Sequence, residues 1–133
     1  MFSLDTTTVV DFLRRPSPGL LRRVGQSRDQ GTLGISAIVL FELSYGAARR
    51  VHPTHASRLS DFLGGGVAVM EFDADDAAAA GALRALLEAE GRGIGPFDTL
   101  IAAQARRRAF TLVTSNTREF ERVPGLVLED WRA

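Results

Sequence analysis

The sequence predicts an α/β fold in which one parallel sheet is covered by helices on both faces. Short apolar runs that read as strands alternate with longer helical segments along the whole chain, without a repeat or a low-complexity stretch. The apolar run that opens the chain ends abruptly in Asp5 and three threonines. A strand over Phe2 to Leu4 that runs straight into a helix leaves Asp5 at its carboxyl end, the edge where open α/β sheets place their ligands. The length of 133 residues fits one domain around one core.

After the first strand, Thr7 to Leu13 reads as a short helix, stopped by Arg14, Arg15 and the Pro16-Ser17-Pro18 breaker. A second helix is expected over Pro18 to Gln26, with Ser27 to Gly31 as its exit loop and Thr32 to Ile35 as the second strand. Ser36 suits an N-cap, and Ala37 to Arg49 is a helix apolar almost all the way round, which predicts burial on more than one side. Glu42 shares the stripe of Ile38, Val39, Tyr45 and Gly46. His52-Pro53 breaks the chain, Thr54 to Leu63 reads as a helix closed by Gly64 to Gly66, and Val67 to Phe72 as the third strand. Asp73 caps a long helix to about Glu90, with Asp76 in the capping-box position and Gly91 as the stop. Pro96 suits the first position of the next helix and Asp98 its first turn. Thr111 to Thr114 is the fourth strand, Asn116 to Glu121 a short helix, Pro124-Gly125 a turn, and Leu126 to Leu128 the last strand.

Composition removes several mechanisms. With 45% hydrophobic residues, no apolar run near the ~20 residues of a membrane span and no basic or apolar leader, the chain is expected to be soluble and cytoplasmic. Cysteine is absent, so disulfides, thiolate metal sites and a cysteine nucleophile are excluded. All sixteen basic residues are arginine. Without lysine, neither a P-loop nor a Schiff-base enzyme is possible.

Four of the sixteen acids stand out by position: Asp5 after the first strand, Glu42 in the apolar helix, Asp98 in a helix first turn, and Glu119 just past the fourth strand. Each also has a structural role open to it. Asp5 suits an N-cap, Asp98 complements a helix dipole, and Asn116 with Glu119 spells a capping box. Glu42 is harder to explain so, because a carboxylate among apolar side chains needs a partner or a metal, and no arginine lies within a helical turn of it. Hard oxygen ligands from separate segments, without cysteine, suit Mg²⁺ or Mn²⁺. Thr6, Thr114 and Ser115 either line such a site or serve as turn and cap residues. Arg106, Arg107 and Arg108 either contact phosphates or complement their helix terminus. His52 and His55 beside Pro53 read as solvated loop rather than ligands, and the glycines at 91, 93 and 95 as a turn rather than a dinucleotide fingerprint.

The run Leu4-Asp5-Thr6, the helix SAIVLFELSYGA with Glu42, the segment GPFDTLIAAQA with Asp98 and the stretch LVTSNTREFERVPGL with Glu119 together resemble the PIN-domain nucleases. The resemblance is closest to the ribonuclease toxins of VapBC toxin–antitoxin pairs. It covers nearly the whole chain in order, is weakest between Arg49 and Glu71, and is most specific around Asp98. It implies a three-layer α/β/α sandwich with a mainly parallel central sheet and metal-dependent cleavage of RNA. Asp5, Glu42, Asp98 and Glu119 become the catalytic set, with Asp5 and Asp98 as the principal Mg²⁺ ligands and Thr6, Thr114 and Asn116 in support. A VapB-type antitoxin and a homodimer are the partners it implies.

Two positions depart from the family pattern. Thr7 stands where asparagine is common, and Asn116 where many members carry a fourth aspartate, so one metal or a weak second site is expected. The chemistry of the residues agrees with the resemblance: carboxylate-held Mg²⁺ activates water and neutralises phosphate, with two ions about 3.5–4 Å apart where both sites fill. Setting the four acids aside leaves twelve against sixteen arginines, a surface suited to a polyanion. A PIN-like module that binds RNA or a partner without cutting it is the main alternative. A phospho-accepting receiver domain is a third reading, disfavoured by the missing lysine.

Overall fold

A computed structural model describes residues 1–49 and 53–133. The chain alternates as predicted. Strands β1 (Phe2–Leu4), β2 (Leu33–Ser36), β3 (Ala68–Met70), β4 (Thr111–Val113) and β5 (Val127–Glu129) form one sheet in the order β3-β2-β1-β4-β5. Every pairing is parallel, with Phe2 opposite Leu33 on one side and Leu4 opposite Val113 on the other. Both side-chain directions of the central strands are buried, across Ser3 and Leu4, all of β2, and Leu112 and Val113. Helices therefore cover both faces.

The helices are α1 (Thr6–Arg14), α2 (Pro18–Asp29), α3 (Ala37–Arg49), α4 (Pro53–Leu63), α5 (Ala74–Ala89), α6 (Pro96–Arg107) and the single turn α7 (Thr117–Phe120). Helix α5 packs along α6, while α3 touches α1, α4 and α6. Leu4, Val9, Ile35, Val39, Leu83, Ile101, Leu112 and Phe120, drawn from eight of these elements, are each at most 1% exposed and define the core. The strand order places the chain reversal at β1 and β4, so the crevice at their carboxyl ends is the topological switch point where such sheets take ligands.

Several boundaries differ from the sequence expectation, each for a local reason. Helix α2 runs through Ser27, Arg28 and Asp29 and stops only where Gly31 takes a positive φ of 67°, so the expected exit loop is its last turn. Ser36 ends β2 rather than standing outside it, yet its Oγ still accepts from the Ile38 N–H at 3.1 Å. Strand β3 stops at Met70 because the Glu71 carbonyl is taken by side chains of α6 and its cap, accepting from Gln104 Nε2 at 2.9 Å and Arg108 Nη2 at 2.8 Å.

The larger corrections concern α3 and the arginine run. Only Val39 and Leu43 of α3 are fully buried, while Phe41 is 53% and Tyr45 56% exposed, so this apolar helix is not enclosed by its own chain. Phe41 instead meets Phe97 of α6 at 5.5 Å between ring centroids. Arg107 and Arg108 do not form a free cationic patch. Both bind Asp73 and Asp76, and Arg106 donates to the Pro124 carbonyl at 3.1 Å. Asp73 and Asp76 form the predicted capping box at the start of α5, and Asp76 is wholly buried. Burial alone would raise the Asp76 carboxyl. The Arg108 guanidinium, the Asp73 N–H, Arg107 and Gln104 outweigh it and hold Asp76 well below the usual carboxylate range.

Candidate active site

Asp5 follows β1 and is 3% exposed. It fills the capping role open to it. Oδ1 caps α1 by accepting from the Thr8 N–H at 2.9 Å, while Oδ2 accepts from Thr114 Oγ1 at 2.6 Å. This second bond exists because the parallel register of β1 and β4 brings the residues after Leu4 and Val113 side by side, with the Asp5 N–H donating to the Val113 carbonyl at 3.0 Å. Thr114 also orients the next segment, since its Oγ1 accepts from the Asn116 N–H at 2.9 Å.

Glu119 comes from α7, one turn past that segment. It does not close the predicted capping box: the Asn116 side chain makes no cap bond, and its Nδ2 donates to Glu119 Oε2 instead. Glu119 Oε1 accepts from the Gly95 N–H, the N-cap position of α6, at 3.0 Å. Asp98 lies in the first turn of α6, beside Glu119, whose proximity raises its carboxyl. A Cβ at Gly95 would stand 3.3 Å from Asp98 Oδ2 and 3.7 Å from Glu119 Oε1, so a larger residue here would crowd the Asp98 carboxylate by a few tenths of an ångström. Glu42 reaches the cluster from α3, where its Oε1 accepts from Thr6 Oγ1 at 2.7 Å.

Asp98 is thus near enough to Glu119, Asp5 and Glu42 to feel their charges, and Thr6, Thr114 and Asn116 donate to Glu42, Asp5 and Glu119 respectively. The backbone N–H groups of Thr8 and Gly95 hold Asp5 and Glu119; sequence reasoning assigns Thr8 no role and reads Gly95 only as part of a turn. The helix start itself is marked by Pro96. Thr7 is exposed. His55 lies on α4 rather than in a loop, and His52 falls outside the described residues.

The electrostatics of the cluster are those of uncompensated negative charge. Every hydrogen-bond donor to it is a hydroxyl, a backbone N–H or an amide, and none of the four acids forms an ion pair among the described residues. Burial raises the Asp5 carboxyl despite its bonds to Thr114 and Thr8. Asp98 is raised to about 7, first by burial, then by the charge and hydrogen bond of Glu119 and by repulsion from Asp5 and Glu42. The α6 dipole favours a charged Asp98 by only ~0.3–1 kcal/mol, too little to offset this.

Crowded oxygen donors without a cation among them fit a hard divalent ion in kind. They are not closed around one, because no three acidic or histidine side chains among the described residues are gathered as a ready cage. With its carboxyl raised to about 7, Asp98 competes for a proton near neutral pH, and a cation bound beside it would displace that proton.

Comparison with known proteins identifies the family. Residues 3–126 match the PIN domain family. The chain is 38% identical over 98% of its length to the tRNA(fMet)-specific endonuclease VapC of Shigella flexneri, covering 97% of that protein. It superposes with a TM-score of 0.91, at 34% identity and 98% coverage of both chains, on a structure of VapBC2 from Rickettsia felis bound to a DNA fragment from their promoter. It superposes equally, with a TM-score of 0.91 and 34% identity over 98% of this chain and 97% of the other, on DNA-bound VapBC from Salmonella typhimurium. The chain belongs to the PIN domain family. Within that family its relatives are the VapC ribonucleases.

Proposed function

We propose that this chain is the ribonuclease toxin of a VapBC-type toxin–antitoxin pair, cleaving RNA phosphodiester bonds in the cytoplasm with Mg²⁺, or with Mn²⁺ in its place. The observation that carries the reading is the carboxylate cluster itself, four acids without a cationic partner at a switch point, with one of them raised to about 7. Asp5 and Asp98 would hold the metal, with Glu42 and Glu119 completing the catalytic set. Mg²⁺ bound there supplies an activated water and neutralises charge on the phosphate.

The chain's own residues fix the donors. Thr8 and Thr114 lock both oxygens of Asp5, Thr6 aims Glu42, and Gly95 with Asn116 holds Glu119. Asp98 carries the proton that ionisation or a cation removes. No side-chain nucleophile is needed.

The tRNA(fMet) named for two relatives is the first substrate to test. The solved VapBC complexes support a VapB-type antitoxin as partner, and the exposed aromatic face of α3 supports a homodimer. No described helix is long and apolar enough to cross a membrane. The test is cleavage of single-stranded and structured RNA, tRNA(fMet) included, in Mg²⁺, Mn²⁺ or EDTA. Wild type should cut only with metal. Cleavage that persists in EDTA contradicts the mechanism, and metal-independent RNA binding without turnover favours a binding module.

A further inference from the structure

Beside the carboxylate cluster, α1, α3 and α4 enclose a half-open cleft of about 110 Å³ that no step above uses. It is continuous with the cluster, because Thr6 and Glu42 form part of its wall. Its floor is apolar, built from Val10, Leu43 and Leu59, and its rim carries Arg14 and Arg58. Both arginines are exposed and neither has an acidic partner among the described residues. Arg58 Nη1 lies 3.5 Å from the Leu13 carbonyl, which keeps α4 against the end of α1.

A single water needs on the order of 10–15 Å³ of such space, so the cleft has room for a group of several heavy atoms. An apolar floor under a cationic rim matches a nucleotide, whose base has an apolar face and whose linkage is an anion. We infer that this cleft is a subsite for one nucleotide of the RNA strand flanking the scissile phosphate, with the base on Val10, Leu43 and Leu59 and a backbone phosphate at Arg14 and Arg58. The inference rests on the nuclease reading, since the shared wall of Thr6 and Glu42 is what sets the nucleotide next to the cut.

Gly46 provides the test. It lines the cleft from α3, and a Cβ there meets no atom within 4 Å. Gly46→Leu therefore fills the cleft from a helix that larger residues favour, and Gly46→Ala barely enters it. The probe is a labelled 12-nucleotide single-stranded RNA of mixed sequence, titrated in EDTA to prevent turnover, with Mn²⁺ titration reporting that the acid cluster is intact.

Gly46→Leu should weaken RNA binding at least tenfold and Gly46→Ala less than twofold, with Mn²⁺ affinity the same in both. The second variant, Arg14→Gln with Arg58→Gln, should reduce the slope of log K against log salt by about 0.7, the value for one phosphate contact on a single strand. Unchanged RNA binding in Gly46→Leu together with an unchanged salt slope overturns the subsite. Gly46→Leu that loses antitoxin binding while keeping RNA binding overturns it too, and assigns the cleft to a protein segment. Wild-type protein that binds RNA through the cleft but never cuts it with metal overturns the nuclease reading and leaves the subsite standing.

Discussion

Asp98 occupies the first turn of a helix whose dipole favours its charge, yet its carboxyl is raised to about 7 by burial and by Glu119, Asp5 and Glu42. That conflict makes it the most informative single position. Asp98→Asn should lower RNA cleavage by about 10²-fold or more, as loss of a charge-stabilising group at a reacting centre does. It should also raise the melting temperature of the metal-free protein above pH 7, because it removes the repulsion. A cleavage rate equal to wild type, or a lower melting point, would contradict this assignment. Asn116→Asp tests the family departure. Its amide donates to Glu119, so an acid there should lower metal-free stability and tighten Mn²⁺ binding, read by thermal melts with and without the ion. Asp5 and Asp98 were legible as single residues from their place at a strand end and a helix start. The nearness of Glu119 to Asp98 was not, because Asn116 and Glu119 also fit the spacing of a capping box.

Helix α5 is anchored to α6 by the buried Asp76, which answers Arg107, Arg108, Gln104 and its own capping partner. Asp76→Ala should cost about 3 kcal/mol of stability, measured by urea unfolding, because it strands buried donors and breaks a partly buried ion network. At the other end of the sheet Gly19 of α2 lies under the final residues, where a Cβ would stand 1.7 Å from the Ala133 carbonyl oxygen. Gly19→Ala should displace that tail and cost about 1–3 kcal/mol. Trp131 reports it directly: it is the one tryptophan, 3% exposed, stacked edge-on to Phe2 at 5.2 Å and under Arg23. Its fluorescence should shift to the red, and an unshifted spectrum would mean the tail accommodates the methyl. Neither anchor could be read from sequence beyond the capping box, since Asp76 and Arg107 stand 31 positions apart and arginine runs at helix ends have ordinary dipole partners.

For the whole molecule, the two kinds of shifted acid oppose each other in pH. Asp98 and Asp5 have folded pKa values raised above the unfolded value, so they keep protons that the unfolded chain releases. Their contribution is full below about pH 4 and is lost as pH rises, through about 7 for Asp98. Asp76 is lowered, so its contribution is present above about pH 4 and lost as pH falls below that. Metal-free protein should accordingly be most stable near pH 4 and lose stability as pH rises through about 7, and thermal melts in EDTA across pH 3 to 9 test it. A steady rise in stability from pH 5 to 8 would contradict the assignment. The sheet and its helices were legible at this scale because strand and helix periods alternate cleanly. The exposure of Phe41 and Tyr45 was not, since an apolar helix surface reads alike whether its own core or another molecule covers it.

The central claim, that four carboxylates of this chain form a cation site held closed by a proton, is tested most directly by calorimetric titration of Mn²⁺ at pH 6 in two buffers of different ionisation enthalpy. The account predicts saturable binding that releases about one proton per ion in wild type, tightens as pH rises through about 7, and is lost in Asp98→Asn. Binding that is absent, or that is equal in the two proteins and releases no proton, would contradict it.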